Sequence, residues 1–167
     1  KCELVYGDVD DKNTVMETVK GCSSSIYNIG IIREFPEFGV TYKSLHYLGA
    51  KRCIDAAVNS KIERFILMSA NGVKKDGTGY QKTKMLAEEY LKSVNANYTI
   101  FRPSLVFGDP RGEVRHEFCS QIKKDMLSIP FPSPNFFPGL NPLNSGNFAM
   151  SPIHAKDVAS IFVKSIN

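Results

Sequence analysis

Short apolar runs alternate along this chain with longer stretches in which apolar residues recur at helical spacing. Four runs are typical of strands: 3–8 (ELVYGD), 25–31 (SIYNIGI), 64–69 (RFILMS) and 98–108 (YTIFRPSLVFG). Four stretches have the periodicity of helices: 42–60, 79–92, 113–127 and 154–166. The unbroken apolar character of 64–69 further predicts a strand that is buried on both faces.

This alternation predicts an α/β fold built from βαβ units, with a mostly parallel, doubly wound sheet and helices on both faces. Ligands of such sheets bind beyond the carboxyl ends of the strands. Ser69, Tyr80 and the 103–108 stretch fall at these ends. The irregular stretch 130–152, rich in Pro, Asn, Gly and Phe, is expected to be a functional loop on the substrate side.

Composition narrows the class of protein. A chain of 167 residues with 43% apolar and 23% charged residues suits one globular domain. The net charge of +4 comes from scattered basic residues, so no nucleic-acid partner is expected. No apolar run is long enough to span a membrane. The four cysteines and three histidines are dispersed, which predicts no metal site and free thiols in the reducing cytoplasm.

The stretch GYQKTKMLAEEYLK (79–92) places a phenol and an ammonium one helical turn apart, at Tyr80 and Lys84. A nearby ammonium stabilises a phenolate and lowers its pKa, so that the phenol can exchange a proton with a carbonyl or alcohol oxygen. The pair also occurs by chance in ordinary helices, with the lysine solvated and the tyrosine packed in the core. Both interpretations stay open from the pair alone.

Ser69 closes the strand that precedes this helix and could hold the same substrate oxygen. Together with Tyr80 and Lys84 it suits hydride chemistry at a carbon that bears oxygen, with a nicotinamide as the hydride carrier. A strand-end serine bonded to backbone is the alternative.

Seven motifs occur in a fixed order: VYGDVDD, YNIG, HYLGAKRCIDAA, FILMSA, YQKTKMLAEEYL, FRPSLVFGD and MSPIHAKDVA. In this order they resemble the extended or atypical short-chain dehydrogenase/reductase superfamily. The resemblance is closest to the NAD(P)-binding, epimerase/dehydratase-like branch that includes the Rossmann-type accessory subunit of respiratory complex I. It implies a Rossmann-like fold, NAD or NADP as cofactor and a small-molecule substrate.

The resemblance also implies roles for single residues. Tyr80 and Lys84 match the catalytic pair, and Ser69 is the candidate for the catalytic hydroxyl, which in many relatives lies one or two places later, at Ala70 or Asn71 here. His46 stands where the family often has an asparagine. Residues that match cofactor-binding segments are Asp8, Val9, Asn28, Ile29, Gly30, Lys84, Pro103, Ser104, Leu105 and Val106.

The family's glycine-rich phosphate turn is missing from these 167 residues. We therefore expect a partial NAD(P)-binding Rossmann domain over 1–167, with the glycine-motif β-α-β unit before Lys1 and the rest of the substrate region after Asn167. Such a domain would bind dinucleotide weakly. It would also expose sheet edges, which favours homo-oligomers.

Two functions compete at this point. The first is part of an NAD(P)-dependent oxidoreductase or epimerase/dehydratase, with Tyr80 and Lys84 as an acid–base pair. The second is a non-catalytic, nucleotide-holding structural or assembly subunit, like the complex I relative. The Tyr80–Lys84 pair favours the first function, whereas His46 and Ala70 favour the second.

Overall fold

The computed structural model describes residues 2–109 and 151–166, which fall into two compact units. The larger unit runs up to Pro103 and includes the last residues from Lys164, and the smaller unit lies between Ser104 and Val163. Each unit is described by itself.

A parallel three-stranded sheet forms the centre of the larger unit. Its strands are β1 (Ser24–Tyr27), β2 (Arg64–Met68) and β3 (Tyr98–Phe101), in the order β1-β2-β3. Ser24 pairs with Arg64, and Phe65 pairs with Tyr98. The carboxyl ends of all three strands therefore lie at one edge of the sheet, as predicted for an α/β fold with parallel strands.

Helices connect these strands. Helix α1 (Lys12–Val19) precedes β1; a π-helical segment, Lys43–Gly49, continues into α2 (Ala50–Asn59), and α3 (Gly79–Ser93) follows β2. In α1, the carboxylate of Asp11 accepts a hydrogen bond from the backbone N–H of Asn13, which caps the helix. The long helix predicted over 42–60 is thus helical almost throughout, but its first half has the wider π turn.

The core lies between β2 and the faces of α2 and α3. Phe65, Ile66 and Leu67 of β2 are at most 2% exposed, as predicted for a strand buried on both faces. Ile54 of α2 and Leu91 of α3 are fully buried. This packing fixes the start of α3 close to the carboxyl end of β2.

The smaller unit contains two short strands and one helix in the described residues. β4 (Val106–Phe107) pairs in parallel with β5 (Ile153–His154), and α4 (Ala155–Lys164) follows directly. Within the run 98–108, strand β3 ends at Phe101, before Pro103, where the sequence predicts a stop because proline has no N–H for a ladder. The rest of this run contains the separate strand β4.

The prediction of a strand over 3–8 is wrong. Residues 2–6 have no regular structure, and Leu4 and Tyr6 are 70% and 87% exposed. A strand requires a neighbour for its backbone groups, and among the described residues β1 pairs only with β2. The segment has therefore left the sheet. The predicted helix over 113–127 and nearly all of the 130–152 loop lie outside the described residues.

In the part of the chain that the structure describes, no helix combines the length and the apolar character needed to cross a membrane.

Candidate functional site

The start of α3 places Tyr80 and Lys84 at the carboxyl end of the sheet. Thr78 accepts a hydrogen bond from the Gln81 backbone N–H, and the Gln81 side chain accepts one from the Thr78 N–H, which forms a capping box. Tyr80 therefore lies in the first helical turn and Lys84 lies one turn later, on the same side of the helix.

Lys84 is a buried ammonium with few protein partners. Its side chain is 6% exposed, and Nζ donates to the carbonyl oxygen of Met68, at the end of β2, over 3.0 Å. An ammonium has three donors, and among the described residues Met68 is the one acceptor that Nζ reaches. Burial lowers the pKa of Lys84 to about 8. The group is thus held in place with donors to spare.

Gly30 leaves space beside this ammonium. A methyl group at Gly30 would lie 3.3 Å from Lys84 Nζ and 3.8 Å from His46 Nε2. Gly30 follows β1 and its backbone is exposed. The structure thus brings Gly30 and Lys84 together, two residues that the resemblance assigns to cofactor binding.

Tyr80 packs its ring among two other rings. The centroid of His46 lies 5.0 Å away and that of Tyr42 lies 5.8 Å away, both in edge-to-face geometry. The sequence predicts that Lys84 lowers the pKa of Tyr80. In the structure, burial and the Tyr42 phenol instead raise that pKa, because both disfavour the phenolate. The phenol therefore holds its proton at neutral pH.

His46 is more closely involved in the site than the sequence indicated. It is 1% exposed; its Nε2 accepts the backbone N–H of Ile31 over 3.0 Å, and its Nδ1 lies 3.3 Å from Thr83 Oγ1. Tyr42 stacks on its other side, with 5.2 Å between ring centroids. Tyr42 and His46 share one face of the predicted helix, and this was the signal available in the sequence.

Ser69 takes part in a different cluster. It is 3% exposed, and its hydroxyl donates over 2.5 Å to Oε1 of Glu88, a carboxylate that is fully buried on α3. Arg102 donates to both oxygens of the same carboxylate, over 2.8 and 2.6 Å. To hold a substrate oxygen, Ser69 would have to exchange this bond, so its catalytic role stays a prediction. Sequence reasoning missed Glu88 and Arg102, since nothing in their spacing pairs them.

Three of the residues assigned to the cofactor line a groove between the 5–9 segment, α1 and β1. Asp8, Val9 and Ile29 contribute to its wall, and its volume is about 210 Å³. Asp8 also accepts the backbone N–H of Asp10 over 2.8 Å, which fixes the turn that enters α1. Asn28 lies exposed between this groove and Gly30 in the chain.

The remaining assigned residues follow β3. The carbonyl oxygen of Pro103 accepts the backbone N–H of Asn71 over 2.9 Å within the larger unit. Ser104, Leu105 and Val106 belong to the smaller unit, where the Leu105 carbonyl accepts the Ile153 N–H over 2.9 Å.

The residues around Lys84 fit the nicotinamide–ribose end of a dinucleotide. The exposed backbone of Gly30 lies next to an ammonium with unused donors, and ribose hydroxyls are acceptors for such donors. A pyrophosphate usually rests on a glycine-rich turn at a helix N-terminus, and these 167 residues contain no such turn. The Lys84 ammonium can orient a ligand, and the Tyr80 phenol can offer one proton to it.

Comparisons with known proteins identify a family for this chain. A family described as NAD(P)H-binding matches residues 1–128. The chain is 28% identical over 109 residues to the mitochondrial NADH-ubiquinone oxidoreductase 40 kDa subunit of Neurospora crassa. This alignment covers 65% of the present chain and 28% of the Neurospora protein. The chain is 33% identical over 101 residues to the photosystem II assembly factor Ycf39 of Cyanophora paradoxa, with coverage of 60% and 30%.

A solved structure shares the fold. The enzyme WbmH of Bordetella bronchiseptica, crystallised with NAD+, superposes with a TM-score of 0.69 at 16% identity, over 96% of this chain and 55% of WbmH. The chain thus spans just over half of that enzyme and less than a third of either curated relative.

Proposed function

The chain belongs to the NAD(P)H-binding family, and from this premise we propose that it is part of an NAD(P)-dependent oxidoreductase or epimerase/dehydratase. The reaction takes place at a substrate carbon that bears a hydroxyl or carbonyl group. One observation carries the proposal: Lys84 is a buried ammonium with spare donors, one helical turn from a protonated phenol and next to Gly30, where a methyl group would lie 3.3 Å from Nζ.

The proposed mechanism assigns the proton to Tyr80 and the binding to Lys84. A bound nicotinamide supplies or accepts a hydride. Because burial raises the pKa of Tyr80, its phenol is protonated at neutral pH and donates to a substrate carbonyl oxygen. Lys84 binds hydroxyl groups with the donors that Met68 leaves free. Ser69 is proposed as a further contact to the substrate oxygen if it exchanges its bond to Glu88.

The cofactor is proposed to extend from Lys84 along the exposed end of β1. Two observations support this position of the cofactor. Gly30 lies beside the Lys84 ammonium at one end, and Asp8, Val9 and Ile29 line a groove at the other end. Asn28 connects them in sequence. The loop residues Pro103, Ser104, Leu105 and Val106 are proposed, from the family resemblance, to cover the nicotinamide.

Two substitutions test these roles in the longer protein of which this chain is proposed to be a part, called the full-length chain below. Tyr80→Phe should abolish turnover and leave NADH or NADPH affinity nearly unchanged, because the phenol acts on the substrate. Lys84→Ala should weaken both. Tyr6→Phe, at a residue that is 87% exposed, and Lys82→Ala, on the exposed side of α3, are the matched controls. Full activity of Tyr80→Phe would exclude proton transfer by this residue.

The second candidate is a nucleotide-holding structural or assembly subunit. The bond between Ser69 and Glu88 favours it, because that bond takes the candidate catalytic hydroxyl away from a substrate. The names of the Neurospora subunit and of the assembly factor point the same way. In this case Tyr80→Phe would change neither nucleotide binding nor assembly, whereas Lys84→Ala would still weaken nucleotide binding.

We also propose that the 167-residue chain forms homo-oligomers through its sheet edges. Among the described residues β1 pairs only on its β2 side, and Ile26 at the other side is 41% exposed. A free edge favours pairing with a second chain. The Ser23 carbonyl accepts hydrogen bonds from the strand β2 side, so the alternate residue Ser25 also faces β2 and the N–H of Ile26 faces the free edge. Light scattering after gel filtration should show a dimer or larger species that Ile26→Pro converts to monomer. A monomeric unmodified chain would contradict this.

The same chain is proposed to bind dinucleotide weakly, since the glycine-rich turn for the pyrophosphate is missing from its sequence. Micromolar binding of NADH or NADPH in a calorimetric titration would contradict this proposal. A cytoplasmic location and the lack of a nucleic-acid partner stay predictions. The thiols of Cys2, Cys22 and Cys53 are free, which fits a reducing compartment.

A further inference from the structure

His46 is a buried imidazole between the two elements that form the candidate site. Its Nε2 accepts the backbone N–H of Ile31, which follows β1, over 3.0 Å. Its Nδ1 lies 3.3 Å from the hydroxyl of Thr83, on the first turns of α3. One ring thus connects the end of β1 to the helix that carries Tyr80 and Lys84.

These two contacts fix the protonation state of the ring. A backbone N–H only donates, so Nε2 is the acceptor and carries no proton. Nδ1 then carries the proton and donates to Thr83 Oγ1, whose own hydroxyl donates to the Gly79 carbonyl over 2.8 Å. The chain of hydrogen bonds ends on helix backbone and does not lead to the Tyr80 phenol.

The rings and charges around His46 agree with a neutral ring. Burial, and then the charge of Lys84, lower the pKa of His46 to about 4. Tyr42 stacks on the ring at 5.2 Å, and the edge of Tyr80 meets it at 5.0 Å. An imidazolium at this place would face the Lys84 ammonium across Gly30 and would lose its acceptor bond to Ile31.

The backbone around His46 is also specialised. His46 lies inside the π-helical segment, a geometry that recurs at functional sites because it re-aims side chains. The Leu45 carbonyl in this segment accepts the hydroxyl of Tyr27, at the end of β1, over 2.5 Å. The π-helical segment is therefore bonded to β1 through Tyr27 and to the segment that follows β1 through the bond between His46 and Ile31.

We propose that His46 is a positioning residue: its neutral, Nδ1-protonated ring holds the Gly30–Ile31 backbone at a fixed distance from Tyr80 and Lys84, and it relays no proton. The proposal rests on the proposed function for its consequence, which is that His46 supports dinucleotide binding without touching the reacting atoms. The Nε2 bond to Ile31 carries this effect, because Gly30 is the neighbour of Lys84 Nζ.

Amide side chains separate the two ring nitrogens. The amide of Asn reaches about as far as Nδ1, and that of Gln reaches about as far as Nε2, so His46→Gln can retain an acceptor for Ile31 whereas His46→Asn cannot. We expect His46→Gln to bind NADH or NADPH within about threefold of the unmodified full-length chain. His46→Asn and His46→Ala should bind about tenfold more weakly, the factor expected for one lost hydrogen bond. Equal losses for Gln and Asn would overturn the proposal.

Two readouts need no dinucleotide. Nitrogen-15 NMR of the histidine ring should show the proton on Nδ1 at neutral pH, and a proton on Nε2 or on both nitrogens would overturn the proposal. Hydrogen exchange of the Ile31 amide should be slow in the unmodified chain and in His46→Gln, and fast in His46→Asn. Uniform exchange in all three would also overturn it. If the unmodified full-length chain binds no dinucleotide, the proposed function fails, and these two measurements still decide the role of His46.

Discussion

Lys84 and Glu88 are buried charges of opposite sign, one helical turn apart on α3, and their surroundings differ sharply. Glu88 accepts three hydrogen bonds, one from Ser69 and two from Arg102. Lys84 donates to a single backbone carbonyl among the described residues, that of Met68. The carboxylate is satisfied by the protein, whereas the ammonium has donors left over.

The pKa values of the two groups record this difference. Burial by itself would raise the pKa of Glu88, but the hydrogen bonds from Arg102 and Ser69 outweigh burial and hold that pKa below its ordinary value. Burial lowers the pKa of Lys84 to about 8, and no carboxylate in the described part of the chain offsets this lowering. A buried charge without compensation destabilises a fold. We therefore expect the two charges to contribute to the free energy of unfolding with opposite signs.

The largest effect on this comparison should come from Arg102→Met. Removing the guanidinium leaves the buried Glu88 carboxylate with Ser69 and, 3.6 Å away, the Lys92 ammonium as its partners among the described residues. Because the Arg102 side chain is 44% exposed and its charge is partly screened, we expect the free energy of unfolding to fall by about 2–3 kcal/mol, less than for a fully buried pair. Urea denaturation at neutral pH measures this loss. Arg33→Met, at an exposed residue, is the control and should change little. A loss no larger than that of the control would mean that Glu88 does not need its partner.

The same variant makes a pH prediction. The folded-state pKa of Glu88 is lowered, so its contribution to stability is present above the unfolded pKa of about 4.3 and is lost as pH falls through the folded value. Arg102→Met removes the cause of the lowering. The difference in stability between the unmodified chain and Arg102→Met should therefore shrink below about pH 4.

Lys84→Met should change the free energy of unfolding in the opposite direction to Arg102→Met. Replacing a poorly compensated buried charge by an apolar side chain of similar length should raise the free energy of unfolding by about 2 kcal/mol at neutral pH. Because the folded-state pKa of Lys84 is lowered, the unfolded chain binds more protons between about pH 8 and the ordinary lysine value of about 10.4. The stability of the unmodified chain therefore rises over this range, and the gain from Lys84→Met disappears.

Urea denaturation at neutral and alkaline pH measures both effects, with Lys82→Met on the exposed side of α3 as control. A loss of stability as large as that of Arg102→Met would contradict the comparison, because Lys84 would then hold the fold together as Glu88 does.

The sequence predicted the fold and the residue Lys84, and it missed the hydrogen-bonded cluster around Glu88. The alternation of elements, with the continuously apolar run of β2, predicts the parallel α/β fold, and the ordered motifs predict the family. Both predictions are confirmed. The Tyr80–Lys84 pair is local, since helical spacing alone brings it to one face. The bonds of Glu88 to Ser69 and Arg102 join three elements, and no local pattern encodes them.

The errors have the same physical origin. The run at 3–8 has strand-like composition, but a strand exists only with a neighbour, and composition does not supply one. The lowering of the Tyr80 pKa was inferred from spacing to Lys84, whereas burial and Tyr42, which are tertiary features, raise it. The Lys43–Gly49 segment has ordinary helical periodicity, and its π turn was equally invisible.

A smaller effect on stability is expected from Ser69→Ala. This variant tests whether Ser69 serves the Glu88 carboxylate or the proposed reacting centre near Lys84. If Ser69 serves Glu88, losing one hydrogen bond should cost about 1 kcal/mol of unfolding free energy, because Arg102 still satisfies the carboxylate. Turnover by the full-length chain should then stay nearly unchanged. A large loss of turnover without loss of stability would instead assign Ser69 to the reacting centre, with Tyr80.

The smallest effect on stability should come from Gly30→Ala, which tests the Lys84 side alone. The backbone of Gly30 is not left-handed, since positive φ among glycines of the described residues occurs at other positions. Alanine can therefore adopt the same backbone conformation, and the closest contact of its methyl group would be the flexible end of the Lys84 side chain. We expect the free energy of unfolding to change by less than about 0.5 kcal/mol.

The added methyl would nevertheless lie 3.3 Å from Lys84 Nζ, in the space proposed for the ligand. It should weaken NADH or NADPH binding by the full-length chain and, by removing water from the ammonium, lower the pKa of Lys84 further. Titration of the lysine side chain by NMR measures this shift without ligand. Unchanged affinity together with an unchanged lysine titration would show that the space beside Gly30 is not where Lys84 meets its ligand.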